Sequence, residues 1–396
     1  MEILFEHEIA IALIVKNESP YIEEWLEYHY KIGIDRFYIY DNDSEDRSEL
    51  KKILEPWIAQ KIVEYVEFPG NKSQMIVYDE IVYQHRFDCR YIGFLDADEF
   101  LVPKQNRSLL EIVDEIFKLP PPPENLIAGF GINWRIFGSN GQDRKIDGGV
   151  LERFTLRNPD SLKANLHVKT IVNPRRVYWY LQPHNPIYYS NCLCVNENGR
   201  IIQNHENLEN TAEKIQINHY FTKSREEFEI KRLRGRADIG KQRRAEEFDI
   251  YQHDKINDTL ALEIFNRPSF RQIDFHDDES TIQDLESMLN VDSDNLEKFF
   301  TCFHRARGLK DSKIREEFTS LAINRILQPR RVTIPDCYLF VDSVPEIISA
   351  RPEFKKVFIQ NEIIMLKQLE DIMRKRSNLA EYIQIWHRRE ILQAII

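Results

Sequence analysis

An apolar segment ends in three acidic residues at Tyr91-Ile92-Gly93-Phe94-Leu95-Asp96-Ala97-Asp98-Glu99, and Phe100-Leu101-Val102 resumes the apolar pattern. A short apolar run with a polar end predicts a buried strand, and α/β proteins bind ligands where such strands end. Asp96 and Asp98 are two residues apart, so a regular strand would place both carboxylates on one face. Two such carboxylates can hold Mg²⁺ or Mn²⁺ and leave positions open for a diphosphate. This Asp-x-Asp (DxD) motif therefore predicts an enzyme that handles a nucleotide diphosphate through a metal ion.

The alternative explanation of the acidic triplet is a solvated loop end or a helix cap, since Asp-x-Asp is a common sequence. The apolar residues on both sides favour the metal site, because acidic side chains rarely lie between buried segments without a partner.

A strand–helix–strand unit precedes the triplet. Strand-like apolar runs occupy residues 9–15 and 36–40, with a helical pattern at 21–32 between them. Each run ends in a polar group, and a right-handed crossover would bring both groups to the same edge of the sheet. Carboxylates and amides there suit a base edge or ribose hydroxyls, whereas turn formation is the alternative role for these residue types. The predicted donor-binding residues of this edge are Lys16, Asn17, Glu18, Asp41 and Asp43.

Strand and helix patterns continue to alternate as far as residue 119, which predicts an open α/β sheet flanked by helices. Residues 126–217 read mostly as strands and loops, and short amphipathic helices follow residue 257. We therefore predict a catalytic domain at residues 1–250 and a mainly helical C-terminal region at residues 251–396.

Composition limits the classes of protein that fit. The 396 residues carry a net charge of −11, which argues against nucleic acid as the main partner because phosphate binding relies on Lys and Arg. The N-terminus does not resemble a signal peptide, and no run approaches 18 uncharged apolar residues. The five cysteines suggest no disulfide framework. These observations predict a cytoplasmic protein.

Glycine-rich phosphate loops are absent from the sequence. It contains neither G-x-G-x-x-G nor G-x-x-x-x-G-K-[ST], which disfavours a dinucleotide-binding dehydrogenase and a P-loop NTPase. A bound diphosphate would therefore be neutralised by a metal ion and by basic side chains.

Several motifs follow one another between roughly residues 8 and 240. They are Val15-Lys16-Asn17-Glu18, Glu24-Trp25-Leu26-Glu27-Tyr28-His29, Gly33-Ile34-Asp35, Tyr40-Asp41-Asn42-Asp43-Ser44, the acidic triplet with its neighbours, Trp134-Arg135-Ile136-Phe137-Gly138-Ser139-Asn140-Gly141, and Asn218-His219-Tyr220-Phe221-Thr222-Lys223-Ser224 with Glu227-Phe228, Lys231 and Arg234-Gly235. In residues and in order, these motifs together resemble glycosyltransferase family 92 and the related family-2-like bacterial glycosyltransferases. The resemblance implies a GT-A-type α/β domain and an inverting transferase that uses a UDP-sugar, with galactose as the first guess.

The resemblance also implies roles for individual residues. Asp98 and Asp96 would hold Mn²⁺ or Mg²⁺, with His219 as the third ligand and His184 as its rival. Glu152 or Asp143 would take the proton from the acceptor hydroxyl. The remaining candidates are Lys223 for the diphosphate and Trp134, Gly138 and Ser139 for the acceptor.

The tail and the acceptor leave alternatives open. Apolar residues at helical spacing, with interspersed arginines, occupy residues 363–373 and 379–396. They predict packing on the catalytic domain, a homodimer contact, or peripheral contact with the inner face of a membrane. The expected acceptor is a glycan or lipid-linked glycan in the synthesis of a surface polysaccharide or glycoconjugate. A sugar nucleotidyltransferase and a catalytically inactive scaffold are the alternative functions.

Overall fold

The computed structural model describes residues 5–70, 72–235, 242–253, 256–267, 278–289, 296–307, 309, 312–328, 334–375, 385–386, 388–389 and 392–393. The chain forms two compact units. The larger unit comprises His7–Tyr188 and Cys192–Ile273, and the smaller comprises Met1–Glu6, Tyr189–Asn191 and Asp274–Ile396. The larger unit therefore extends past residue 250, where the sequence predicted the end of the catalytic domain.

The described strands belong to the larger unit. They are β1 (His7–Val15), β2 (Arg36–Asp41), β3 (Val63–Glu67), β4 (Cys89–Phe94), β5 (Glu99–Pro103), β6 (Leu126–Ile136), β7 (Leu156–Arg157), β8 (Val168–Val172), β9 (Val177–Trp179), β10 (Ile187–Tyr188), β11 (Cys192–Val195), β12 (Ile201–Ile202), β13 (Ile215–His219) and β14 (Ile256–Asn257).

Helices accompany the strands and make up most of the described C-terminal region. They are α1 (Ser19–Lys31), α2 (Arg47–Ala59), α3 (Gln74–His85), α4 (Leu109–Phe117), α5 (Val150–Arg153), α6 (Arg225–Arg234), α7 (Glu247–Ile250), α8 (Leu260–Asn266), α9 (Asp278–Leu289), α10 (Leu296–Arg307), α11 (Ser312–Leu327), α12 (Ile334–Ala350) and α13 (Lys355–Lys375).

The central sheet is open and mixed. Its main path runs β12-β11-β6-β8-β4-β1-β2-β3, and β13 pairs with both β6 and β5. Strand β1 is parallel to β2 and β4, whereas β8 is antiparallel to β4 and β6. This order confirms the predicted α/β class with an open mixed sheet flanked by helices.

Strand β1 is buried on both faces, as its continuous apolar run predicts. Ile11 and Leu13 pack in the same hydrophobic cluster as Trp25 of α1. The small side chains of Ala10 and Ala12 point to the opposite cluster, which includes residues of α3. Two packed helix layers therefore fix β1 and β4, whose carboxyl ends carry the polar residues of the site.

The described part of the smaller unit after residue 274 is helical, which confirms the predicted C-terminal helical extension. Its buried side chains include Phe300, Phe303, Phe340 and Phe358. Most of the predicted helix at residues 379–396 lies outside the described residues. None of the described helices has the length together with the apolar composition that a membrane span requires.

Candidate active site

The acidic triplet lies where β4 ends. Asp96 and Asp98 occupy a turn between β4 and β5, so they are not consecutive outward positions of one strand, as the sequence suggested. Leu95 N donates to Ala12 O (3.2 Å), and Tyr220 N donates to Asp98 O (2.9 Å). These hydrogen bonds hold the turn between the end of β1 and the residue that follows β13.

A cavity of about 260 Å³ opens beside this turn. The structure brings seven of the candidate residues into its lining: Lys16, Glu18, Asp96, Asp98, Trp134, His184 and His219. The other lining residues are Ile14, Val15, Asn42, Gly70, Lys72, Gln74, Ala97, Pro183, Phe221, Lys231, Arg234, Gly235 and Arg243.

Asp98 is buried, and its carboxylate lies beside Lys231 and His219. One carboxylate oxygen accepts a hydrogen bond from Lys231 Nζ, and the other lies 3.6 Å from His219 Nε2. Burial alone would raise the pKa of Asp98, but Lys231 and His219 hold that pKa well below its ordinary value. Burial also lowers the pKa of Lys231 to about 8, against the attraction of Asp98. Asp98 is therefore a carboxylate over the ordinary pH range.

Asp96 is the more accessible of the two aspartates, with 39% of its side chain exposed. Lys169 Nζ lies 3.1 Å from one of its oxygens, and Gln74 Nε2 donates to the other (3.1 Å). Burial opposes the charge of Asp96, but Lys169 lowers its pKa. Asp96 thus offers the cavity a carboxylate fixed by two neighbours.

The Glu99 side chain holds the backbone of the turn. Its Oε2 accepts from Asp96 N (2.9 Å) and lies 3.6 Å from Lys169 Nζ. The side chain is fully buried, and that burial raises the pKa of Glu99 well above its ordinary value. Glu99 holds the backbone that presents Asp96.

The donor set at the turn suits a hard divalent cation, because two carboxylates and one imidazole are ligands that Mn²⁺ accepts. His219 Nδ1 is buried and makes no hydrogen bond with any of the described residues. Among the described residues, Asp96, Asp98 and His219 do not form a three-residue group with all ligand atoms within 4.8 Å of one another. A cation held by Asp98 and His219 would therefore reach Asp96 through water or after a side-chain rotation.

Helix α6 contributes two basic side chains, Lys231 and Arg234, to the lining of the cavity. Ser224 and Glu227 form a capping box at its N-terminus, which fixes where the helix begins. Arg234, at its C-terminal end, pairs with Glu18 Oε1 (2.6 Å) and donates to Lys16 O. Lys231 of the same helix contacts Asp98, so α6 brings one basic side chain to the aspartates and one to Glu18.

Trp134 forms an aromatic wall. The centre of its ring lies 4.4 Å from the centre of the His219 ring and 5.1 Å from the centre of the His184 ring. Its indole Nε1 is buried and has no hydrogen-bond partner among the described residues. Burial, with a contribution from Lys169, lowers the pKa of His184 to about 3, so the His184 ring is neutral.

Three predicted donor-binding residues lie outside the cavity lining and hold loops. Asp41 accepts hydrogen bonds from Tyr65 Oη (2.7 Å) and Arg47 Nε (2.9 Å). Asn17 Oδ1 accepts from the backbone N of Glu45 (2.8 Å). Asp43 is exposed and pairs with Arg47 (3.1 Å). These contacts shape the loops after β1 and β2.

The candidate acceptor, diphosphate and base residues outside the lining are Gly138, Ser139, Asp143, Glu152 and Lys223. Ser139 Oγ donates to Gln252 Oε1 (2.6 Å), and Gly138 N donates to Leu156 O (3.2 Å). Lys223 Nζ lies 3.4 Å from the centre of the Tyr21 ring. Glu152 is exposed on α5, and the Asp143 side chain is 87% exposed.

Sequence reasoning missed Lys169, Gln74 and the contact of Lys231. Lys169 is a single charged residue within the strand Val168–Val172, and that interruption was a usable signal. Gln74 carried no distinctive signal. Lys231 is one of several basic residues in α6, so only its position in the fold distinguishes it.

Comparison with known proteins adds a family match. The model of glycosyltransferase family 92 matches residues 9–239. A glycosyltransferase family 92 protein of Oryza sativa subsp. japonica is 29% identical over 170 residues, which cover 42% of this chain and 27% of that protein. Galactan beta-1,4-galactosyltransferase GALS1 of Arabidopsis thaliana is 24% identical over 102 residues, which cover 24% of this chain and 21% of that protein. The chain thus spans about a quarter of the length of the curated relatives it matches.

Among solved structures, S. aureus TarS 1–349 in complex with UDP-GlcNAc aligns with 90% of this chain and 92% of that chain. The identity is 11% and the TM-score is 0.34, which is too low to support an inference about this chain.

Proposed function

The chain belongs to glycosyltransferase family 92, and we propose that it transfers a sugar from a UDP-sugar to a glycan hydroxyl, with inversion and with a divalent cation. The family model covers the strands and helices that form the cavity, from β1 to α6. The proposal therefore concerns the larger compact unit.

The observation that carries the proposal is the pairing of opposite charges in one cavity. Asp96 and Asp98 line the cavity together with Lys231, which contacts Asp98, and Arg234, which pairs with Glu18. A nucleotide diphosphate bound to a divalent cation needs carboxylates for the cation and basic groups for the phosphates. The same cavity provides both.

Asp98, Asp96 and His219 would hold Mn²⁺ or Mg²⁺, which when bound supplies Lewis-acid stabilisation of the departing diphosphate. Lys231 and Arg234 would contact the phosphate oxygens. Lys16, Glu18 and the loops fixed by Asn17, Asp41 and Asp43 would position the nucleoside, and Lys223 would add positive charge near Glu18, whose Oε2 lies 4.0 Å from Lys223 Nζ.

The acceptor half of the reaction is assigned to the segment after β6. An inverting displacement requires a carboxylate that takes the acceptor proton opposite the leaving group. Glu152 and Asp143 are the proposed bases, and Trp134 with the Gly138–Ser139 turn is the proposed acceptor side. Galactose is the first sugar to test, because one relative is named as a galactosyltransferase.

Calorimetric titration with UDP, with and without Mn²⁺, tests the proposal. The native protein should bind UDP more tightly with Mn²⁺, and Asp98→Asn should lose that enhancement. Asp249→Asn is the matched control, because the Asp249 side chain is 68% exposed and pairs with Arg225. Equal UDP affinity with and without Mn²⁺ in the native protein would contradict the metal role.

Activity assays separate the alternatives. Metal-dependent hydrolysis of a panel of UDP-sugars favours the transferase, whereas pyrophosphate release from UTP and a sugar phosphate favours a nucleotidyltransferase. Absence of nucleotide binding favours the scaffold.

Two variants test the base candidates. Asp143→Asn or Glu152→Gln should lose turnover and keep donor binding if the residue that it replaces is the true base. Full turnover in both variants would exclude both residues.

The acceptor and the location of the protein stay predictions. They comprise a glycan or lipid-linked glycan acceptor, a cytoplasmic location with peripheral membrane contact, and a homodimer formed through the C-terminal helices.

A further inference from the structure

A second group of metal-ligating side chains lies outside the aspartate turn. His167, His205 and Glu206 each offer one ligand atom, and these atoms lie within 4.8 Å of one another. An antiparallel bridge joins His167 to Glu206, and Val168 N donates to His205 O (3.0 Å). Backbone pairing between two segments therefore brings the three side chains together.

Hydrogen bonds orient two of the neighbouring imidazoles. His167 Nδ1 lies 3.2 Å from Ala164 O, and His184 Nδ1 lies 2.9 Å from Val168 O. A carbonyl oxygen can only accept, so both neutral rings carry the proton on Nδ1 and the lone pair on Nε2. Metal-binding histidines are commonly fixed in this way, with one ring nitrogen on a carbonyl and the other on the ion.

The spacing of the rings also suits one ion. The ring centres of His167 and His205 are 5.3 Å apart, and His184 lies 5.5 Å from His167 and 6.0 Å from His205. Two imidazoles bound to one tetrahedral Zn²⁺ at a Zn–N distance of about 2.0 Å would have ring centres about 5 Å apart. The observed separation of His167 and His205 therefore needs little adjustment for shared coordination.

We propose that His167, His205 and Glu206 form a binding site for Zn²⁺ or a similar transition-metal ion, separate from the Asp96–Asp98 turn. Two imidazoles and one carboxylate leave a fourth tetrahedral position for water. Nitrogen ligands favour Zn²⁺ over Mg²⁺ or Mn²⁺, whereas the oxygen-rich aspartate turn favours the latter. The two sites thus differ in the metal they select.

The site braces the aromatic wall of the cavity. The rings of His167 and Trp134 stack with their centres 5.2 Å apart at 16°, and the ring of His219 also contacts Trp134, with the ring centres 4.4 Å apart. An ion on His167 would restrict the ring against which Trp134 packs. A bound ion would thus cross-link the segment of residues 163–168 to residues 205–206.

Metal binding can be measured without any activity assay. Protein freed of metal by a chelator would be titrated with Zn²⁺ by calorimetry and with Co²⁺ by visible absorption, which reports tetrahedral geometry. In Asp98→Asn, whose aspartate turn has lost a cation ligand, we expect one equivalent of Zn²⁺ and a tetrahedral Co²⁺ spectrum. His205→Ala and Glu206→Gln should each weaken binding by roughly tenfold or more.

Two controls make the result decisive. His253→Ala removes another exposed histidine and should leave Zn²⁺ affinity unchanged. Asp98→Asn should also leave it unchanged, because the aspartate turn is a separate site. His205 is exposed, so its replacement should preserve the circular dichroism spectrum. Unchanged Zn²⁺ binding in His205→Ala and Glu206→Gln, or loss of binding in Asp98→Asn, would overturn the inference.

Discussion

Glu227→Gln tests whether the buried ion pair beneath α6 stabilises the wall that carries Lys231 and Arg234. Glu227 accepts two hydrogen bonds from Arg153, at 3.0 and 2.7 Å, and one from Tyr21 Oη at 2.8 Å. The side chains of Arg153 and Glu227 are only 2% and 3% exposed. Removing the carboxylate would leave the Arg153 guanidinium buried without a counter-ion.

The pKa of Glu227 gives the magnitude. Burial works against the carboxylate, but hydrogen bonds from Arg153, Ser224 and Tyr21 lower the pKa from 4.5 to about 2. One pKa unit corresponds to about 1.4 kcal/mol, so a pKa lowered from 4.5 to about 2 contributes about 3–3.5 kcal/mol to the free energy of unfolding. Because the folded-state pKa is depressed, this contribution is complete above pH 4.5 and is lost as the pH falls toward 2.

Urea unfolding of the native protein and of Glu227→Gln, at steps from pH 7 to pH 3, measures this contribution. The difference in unfolding free energy should be about 3–3.5 kcal/mol at pH 7 and should shrink below pH 4.5. Glu229→Gln is the matched control, since Glu229 forms a partly exposed pair with Arg232 and should change stability by less than about 1 kcal/mol. A Glu227→Gln difference that is constant from pH 7 to pH 3 would refute the reasoning.

Three other changes test the site and its support. Lys169→Met should lower the unfolding free energy by about 3 kcal/mol in urea, because it leaves the carboxylates of the turn without their buried cation; a loss below 1 kcal/mol would contradict this. Gly129→Ala should cost about 1–3 kcal/mol, since its Cβ would lie 2.0 Å from Tyr188 Oη, while Gly93→Ala is the milder control with a nearest contact of 3.4 Å. Arg234→Met should weaken UDP binding about tenfold in calorimetry, because it removes a charged phosphate contact; unchanged affinity would place the phosphates elsewhere.

The sheet was predictable because its decisive signals are local. Continuous apolar runs mark β1 and β4; the first run ends with β1 at Val15, and the second ends at Leu95, one residue after β4. The acidic residues after β4 and Lys16 after β1 were therefore placed at one edge of the sheet, and both line the cavity. The helical character of the described C-terminal region followed in the same way from the spacing of its apolar residues.

Other assignments needed tertiary information. Asn, Asp and Ser at a strand end serve equally well as turn formers or as ligands, so the sequence could not reveal that Asp41 bonds to Tyr65 and Arg47. Lys169 reaches Asp96 only because β8 pairs antiparallel with β4. The sequence of neither strand alone specifies the register of that pairing. Long-range pairing therefore determines much of the site.

The ion pairs of the cavity suggest how it would accept a charged donor. Lys231 bonds to Asp98, and Arg234 bonds to Glu18, so each charge already has an internal partner. Burial of unpaired charges is costly, and these pairs avoid that cost when no ligand is bound. If the proposed donor and cation bind together, Asp98 exchanges Lys231 for the cation, and Lys231 exchanges Asp98 for a phosphate oxygen. Neither UDP nor the cation alone would complete this exchange, so we expect each to bind more tightly in the presence of the other.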